Sequence, residues 1–211
     1  MRVDFNVPRD EHGAITDDTR IRRALPTVRE LVDAGARVVL MSHLGRPKGV
    51  DEGQRLAPAA ARLSELLGRP VRMCGESHGP VAEAAVGGLR PGDVLLLENV
   101  RFNAGETKGD AELARAYARL ADAFVNDAFG SSHRDHASTA GVARLLPSYA
   151  GRLLEAEIAA FERVLADPAR PLVAVLGGAK ISDKLKVIDS LIERVDALIV
   201  GDRHPDRHAG S

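Results

Sequence analysis

The chain has 211 residues, of which 45% are hydrophobic, and this is enough for at least one buried core. Its formal net charge of −1 excludes the overall basic surface that holds nucleic acid, and no apolar run approaches the roughly 20 residues that cross a bilayer. One cysteine, Cys74, excludes an intrachain disulfide, and the first residues lack the apolar stretch of a signal peptide. We therefore expect a cytoplasmic protein that binds neither nucleic acid nor membranes.

Short aliphatic runs alternate along the chain with amphipathic stretches. The runs predict strands at Val3–Val7, Val38–Ser42, Val71–Cys74, Val94–Glu98, Ala123–Asp127, Leu172–Leu176 and Ala197–Val200. The stretches predict helices at Thr19–Ala34, Pro58–Leu67, Val81–Gly88, Asp110–Ala121, Leu153–Ala166 and Asp183–Arg194. Such alternation is typical of a Rossmann-like three-layer α/β/α fold with a mostly parallel sheet.

Polar, mostly cationic side chains follow four of the predicted strands. The list in chain order is Asp4, Asn6 and Arg20 with the first strand, His43 and Arg46 after the second, Arg101 after the fourth, and His133, Arg134 and His136 after the fifth. The carboxyl ends of parallel strands meet at one edge of a sheet, so these groups are expected to share a crevice. Guanidinium groups match carboxylate and phosphate oxygens, and the pattern predicts a site for a small, multiply charged anion.

Each of these residues also has a structural interpretation. Arg101 could pair with Glu98 or Glu106, His43 could be a structural histidine bonded to backbone, and Arg46 could lie in a solvated turn. The others could be ordinary strand-end or loop groups. A metal site at the loop histidines is disfavoured, because no Cys or carboxylate set with ligand spacing accompanies them.

A second signal follows the strand Leu172–Leu176. Two glycines, then Lys180, then Lys184 in the first turn of a predicted helix, are typical of phosphate binding by backbone and lysines. Neither the GxxxxGK[ST] nor the GxGxxG pattern is present, which disfavours a Walker A loop and a dinucleotide site. Both lysines could also be solvated residues at a helix start.

The chain resembles the phosphoglycerate kinase family in six segments. In the family's order these are RVDFNVP, ITDDTRIRRALPT, VVLMSHLGRPKG, LLLENVRFNAGE, FVNDAFGSSHRDHAS and VAVLGGAKISDK. The resemblance implies an enzyme, expected as a monomer, with two lobes joined by a helix and a hinge. One lobe would bind 3-phosphoglycerate or 1,3-bisphosphoglycerate and the other ADP or ATP with Mg²⁺, for reversible phosphoryl transfer in glycolysis.

The resemblance also implies roles for individual residues. Asp4 and Asn6 match residues that hold the glycerate part of the substrate. A basic patch for its carboxylate and phosphate is matched by Arg20, His43, Arg46, Arg101 and Arg134. Arg20 and Lys180 are implied as catalytic, because they match groups that accompany the transferred phosphoryl group, and Lys184 matches a contact to nucleotide phosphate. No residue of this chain is expected to be a metal ligand.

The family pattern divides the chain into four parts. Residues 1–152 are expected to bind 3-phosphoglycerate, 153–167 to form an interdomain helix, and 168–200 to begin a nucleotide-binding domain, an incomplete second α/β domain. Residues 201–211 depart from the family pattern and are expected to be disordered. We therefore expect weak substrate binding without turnover by this chain alone. Two alternatives are a non-catalytic module that binds a phosphorylated acid and, disfavoured without GxGxxG, a dehydrogenase fragment.

Overall fold

The computed structural model describes residues 1–166, 168–177, 192 and 194–201, and the chain divides into two compact units, Met1–Glu157 and Ile158–Ser211. The α-helices are α1 (Thr19–Asp33), α2 (Ala57–Leu67), α3 (Gly79–Gly87), α4 (Ala111–Ala118), α5 (Phe129–Ser132) and α6 (Arg152–Ala166). The strands are β1 (Val38–Leu40), β2 (Val71–Met73), β3 (Val94–Leu96), β4 (Phe124–Asn126), β5 (Ser148–Ala150), β6 (Val173–Gly177) and β7 (Ala197–Gly201).

The first unit is built on a parallel sheet with the N-terminal segment at its centre. Three strands lie in the order β1-β3-β2, and β4 pairs with β5, all of them parallel. Arg2 joins the two groups, because it forms parallel bridges to Met41 on one side and to Asn126 on the other. The carboxyl ends of these strands therefore open at one edge. The prediction of an α/β fold with a parallel sheet is confirmed.

Apolar side chains cover both faces of this sheet. Val38 and Leu40 of β1 lie in one core cluster with residues of α1 and α2, whereas Val39 lies in a second cluster with residues of α3 and α4. Every residue of β1 and β3 is buried, as expected for consecutive apolar residues in a central parallel strand. The two clusters make the first unit a three-layer α/β/α structure.

The predicted strand Val3–Val7 is wrong beyond its first residue. The amide of Val3 still bonds the Met41 carbonyl, but the amide of Phe5 donates to the Ser42 hydroxyl at 2.8 Å. The next amide, that of Asn6, donates to the Asp4 carboxylate at 3.1 Å. Side chains thus replace the neighbouring strand as backbone partners, and the chain leaves the sheet after Val3.

The helices begin and end within three residues of their predicted bounds wherever they are described. Helix α1 includes Pro26 and ends near Gly35, whose φ of +78° suits only glycine well. Helix α6 begins where the buried Asp127 carboxylate accepts from the amides of Leu153 at 2.9 Å and Leu154 at 3.2 Å. The strand β5 was not predicted.

In the second unit, the described residues include the parallel pair β6 and β7, with Val173 opposite Ala197. Both strands agree with the sequence prediction to within one residue at each end. The predicted helix Asp183–Arg194 falls almost entirely outside the described residues, as do all but the first residue of the predicted tail 201–211. Among the residues that are described, no helix combines the length and apolar character needed to cross a membrane.

Candidate functional site

Asp4 and Asn6 stand where the N-terminal segment leaves the sheet. Asp4 accepts from Arg20 of α1, with 2.8 Å between Oδ2 and Nη1, and the Arg20 side chain remains half-exposed. Asn6 Oδ1 accepts from the Gly45 amide at 2.8 Å. The same side chains that end the strand therefore connect it to helix α1 and to the loop that follows β1.

Gly45 connects two of the predicted binding residues through its backbone. Its carbonyl oxygen accepts from Nη1 of Arg101, while its amide is held by Asn6. Its φ of +62° favours glycine. Asn99 fixes the facing loop, since its Oδ1 accepts from the Arg101 amide at 3.1 Å and its Nδ2 donates to the Leu44 carbonyl at 2.9 Å.

Three arginines and a histidine line a cavity of about 500 Å³ beside these loops. Arg46, Arg101, Arg134 and His136 contribute to its wall, and they come from loops after three different strands. Within the described part of the chain, none of the three arginines forms an ion pair. By contrast, Arg22, Arg55 and Arg62 each pair with a carboxylate. The cavity thus concentrates positive charge that the described residues do not neutralise.

The electrostatics of the site reflect this excess of cations. Burial lowers the pKa of Arg101, and the positive charge of Arg134 lowers it further. Burial is also the main reason that the pKa of His43 falls to about 2, and the charges of Arg2, Arg101, Arg134 and Arg20 add to the shift. His43 is therefore neutral at physiological pH, and an anion bound among the arginines would relieve their mutual repulsion.

A buried polar network behind the site escaped the sequence analysis. Arg2 is 1% exposed and Glu106 is fully buried, although isolated charges of this kind are rarely buried. Ser138 lies between them, accepting from Nε of Arg2 at 3.0 Å and donating to Oε1 of Glu106 at 2.6 Å. The only sequence signal was an arginine directly before the predicted strand Val3–Val7, where a charge that becomes buried needs a partner.

Arg101 and His43 do not have the partners that their structural interpretations gave them. The proposed Arg101–Glu98 pair is wrong, because Glu98 accepts from Arg55 at 3.1 Å and from the Leu56 amide at 2.9 Å. Glu106 likewise bonds Ser138 and leaves Arg101 unpaired among the described residues. His43 is a buried histidine, but a side chain, Arg2, is its partner instead of backbone.

Other predicted site residues remain untested. Lys180 and Lys184 lie outside the described residues. Over the described residues, no group of three His, Cys, Asp or Glu side chains is arranged to hold a metal ion. The Mg²⁺ implied by the resemblance therefore has no fitting ligand set among the described residues.

Comparisons with known proteins agree on one family. A family model described as phosphoglycerate kinase matches residues 1–203. The structure of phosphoglycerate kinase from Coxiella burnetii is similar at a TM-score of 0.82 and 44% identity, covering 95% of this chain and 50% of that one. The structure of phosphoglycerate kinase from Pyrococcus horikoshii OT3 is similar at a TM-score of 0.83 and 37% identity, covering 95% of this chain and 51% of that one. The chain thus spans about half the length of these relatives.

Proposed function

Because this chain belongs to the phosphoglycerate kinase family, we propose that its basic cavity binds 3-phosphoglycerate, or the same part of 1,3-bisphosphoglycerate. The observation that carries the proposal is the convergence of Arg46, Arg101 and Arg134 on one cavity without ion-pair partners in the described residues. A ligand with a carboxylate at one end and a phosphate at the other offers each guanidinium an oxygen partner. Asp4 and Asn6 are assigned to the hydroxyl-bearing carbon chain.

The wider reaction we propose is reversible phosphoryl transfer between 1,3-bisphosphoglycerate and ADP, giving 3-phosphoglycerate and ATP, as a step of glycolysis in the cytoplasm. Such transfer depends on alignment and charge neutralisation, so cationic groups suffice as its protein machinery. We assign Arg20 and Lys180 to the transferred group and Lys184 to the nucleotide phosphates. Mg²⁺ would arrive with ATP or ADP, and we propose that the protein acts as a monomer.

Binding to the basic cavity is tested by thermal unfolding with four separate additives. We expect 3-phosphoglycerate to raise the Tm, glycerate to have less effect because it lacks the phosphate, and NAD to have none. ADP reports separately on the nucleotide residues. Stabilisation by NAD without stabilisation by 3-phosphoglycerate would contradict the proposal and favour a dehydrogenase fragment.

The transfer step is tested by a coupled assay that detects ATP made from 1,3-bisphosphoglycerate and ADP. The sequence led us to expect binding without turnover by this chain alone, and that expectation stays a prediction. ATP formation by the purified chain would contradict it and would also exclude the alternative of a non-catalytic binding module. Binding without ATP formation would agree with the expectation.

A further inference from the structure

Arg2 lies at the centre of the parallel sheet with its guanidinium buried against the candidate site. Its Nη1 donates to the carbonyl oxygens of Val3 and Met41, and its Nε donates to the Ser138 hydroxyl. Its Nη2 lies 2.9 Å from Nδ1 of His43. Every nitrogen of this guanidinium therefore has a partner within the protein, and Arg2 is only 1% exposed, so the protein encloses its side chain.

The contact with Arg2 determines where His43 carries its proton. A guanidinium only donates hydrogen bonds, so Nδ1 of His43 must accept, and a neutral imidazole then carries its one proton on Nε2. The charged groups that act on His43 are Arg2, Arg101, Arg134 and Arg20, all of them positive. Neutrality and tautomer thus follow from the same surroundings.

Glu106 supplies the negative charge that a buried arginine requires. Its oxygens accept from the Ser138 amide at 3.0 Å and from the Ser138 hydroxyl at 2.6 Å. Because that hydroxyl donates to Glu106, its oxygen is free to accept from Arg2. Charge-assisted bonds of this kind restrict the direction of the guanidinium, and Glu106 opposes the lowering of the Arg2 pKa by burial.

We propose that Arg2 is a positioning residue of the basic cavity. Arg2 holds His43 as a neutral imidazole protonated at Nε2, and Glu106 acts on Arg2 through Ser138. The role in substrate binding rests on the proposed function. In this arrangement His43 contributes a directed N–H to an anionic ligand and no charge. The positive charge of the cavity then comes from its arginines and Lys48, whereas His43 would recognise an oxygen by the direction of its N–H.

The proposal is tested by ¹H–¹⁵N correlation spectra of the imidazoles in the full chain. The chain has seven histidines, and a His43→Gln variant identifies the signals of interest. We expect His43 to show the pattern of an imidazole protonated only at Nε2, unchanged from about pH 8 to about pH 5, across the ordinary histidine pKa of about 6.5. Protonation at Nδ1, or a charged ring at about pH 7, would overturn the proposal.

Two variants separate positioning from folding. Arg2→Met removes the donor to Nδ1, and Arg2→Met combined with Glu106→Gln also removes the buried charge that would be left unpaired. In either variant we expect His43 to populate both neutral tautomers or to titrate within that range. The matched control is Arg115→Met, which removes a half-exposed arginine paired with Glu112 and should leave the His43 signals unchanged. A wild-type His43 pattern in the folded double variant would overturn the proposal.

Binding of 3-phosphoglycerate is measured in the same samples. We expect the double variant to bind it about tenfold more weakly, the loss typical of one misplaced hydrogen bond. Wild-type affinity in the double variant would contradict the role in binding. If the wild-type chain binds no 3-phosphoglycerate but keeps the Nε2-protonated His43, the proposed function fails and the effect of Arg2 on His43 stands.

Discussion

At the scale of single residues, the site differs from the rest of the surface in what its arginines contact. Arg22 and Arg62 both reach Asp18 at 2.7 Å, and such exposed pairs neutralise each other while contributing little to stability. Arg101 instead bonds a backbone carbonyl, and the described carboxylates leave its charge unpaired. A cation kept in this state is a binding group whose partner comes from outside the protein.

Replacing Arg101 should therefore weaken binding more than it weakens the fold. For Arg101→Met we expect the Kd for 3-phosphoglycerate to rise roughly 10- to 100-fold, the range for one charged hydrogen bond. Isothermal titration measures the change, with Arg115→Met as the control. Equal affinities in the two variants would remove Arg101 from the site.

The neutral state of His43 makes a prediction about stability and pH. The folded-state pKa of about 2 lies below the unfolded value of 6.5, so in this window the unfolded chain binds the additional proton. Stability from this group is complete above pH 6.5 and is lost as the pH falls. Urea unfolding should show a loss of about 2 kcal/mol from this group between about pH 7 and pH 5.

The variant His43→Gln should reduce that loss, because the amide does not titrate. His136 acts in the same direction, because burial also lowers its pKa. The dependence of stability on pH should therefore become smaller in His43→Gln without disappearing. His12, whose side chain is 82% exposed, provides the matched control as His12→Gln. A pH dependence in His43→Gln as steep as in the wild-type chain would contradict the assignment.

Residue types placed after strands were enough to predict that Arg46, Arg101 and Arg134 share one edge of the sheet, because parallel strands force their carboxyl ends together. The buried network could not be predicted in the same way. Arg2 and Ser138 are 136 positions apart and meet only through the packing of the sheet against the short π-helix Ala137–Gly141 that follows α5. No local pattern distinguishes Glu106, which is buried and bonds Ser138, from Glu112, which forms a surface ion pair with Arg115.

At the scale of secondary structure, the start of helix α6 shows how distant residues set a boundary. The Thr27 hydroxyl donates to Asp127 at 2.7 Å and accepts from the Arg152 amide at 2.9 Å. Asp127 in turn accepts from the next two amides, so a strand end and a residue of α1 cap this helix. A Cβ on Gly151 would lie 2.4 Å from the Asp127 carboxyl group, which explains a glycine there.

Loss of this cap should cost stability without affecting the site. For Thr27→Val, which keeps the side-chain shape and removes both hydrogen bonds, we expect the free energy of unfolding to fall by about 1–3 kcal/mol. Chemical denaturation measures the difference, with the exposed Thr16→Val as the control. An unchanged free energy in Thr27→Val would show that the cap is not needed.

Two elements were misjudged from sequence for physical reasons. The alternation of Val3, Phe5 and Val7 predicted a strand, and all three side chains are buried. Only the Val3 amide bonds a carbonyl beside the neighbouring strand, whereas the amide of Phe5 bonds a side chain and that of Val7 a local carbonyl. The alternation therefore predicted the burial of the side chains correctly and the pairing of the backbone with a neighbouring strand wrongly. Strand β5 has the sequence SYA and all three of its residues are exposed, so no hydrophobic signal marked it.

At the scale of the whole chain, the described strands of the two units differ in how well their side chains are covered. Each residue of β1 and β3 is buried between two helical layers, whereas Val175 of β6 is 71% exposed and Ile199 of β7 is 54% exposed. Amide protection follows the burial around a hydrogen bond. The pair β1 and β3 should therefore open at a higher free energy than the pair β6 and β7.

Hydrogen exchange followed by mass spectrometry tests this difference. Peptides that contain Val94–Leu96 should exchange slowest in the chain, and peptides that contain Val173–Gly177 should exchange much faster under the same conditions. The same experiment with 3-phosphoglycerate should slow exchange in the loops around Gly45 and Arg101 and leave β6 unaffected. Equal protection of β3 and β6 would contradict the first expectation.

The central position of Met1–Val3 has a consequence for synthesis of the chain. Arg2 is synthesised long before its partners, because its amide bonds the carbonyl of Val125 at 2.7 Å and its carbonyl accepts from the amide of Asp127. Translation must add more than a hundred residues before the middle of the sheet can close. Until then the segment Met1–Val3 has one unpaired edge, and late pairing of this kind slows folding and exposes edges to other chains. Binding of this edge by a chaperone during translation would protect it at the stage when it is most vulnerable.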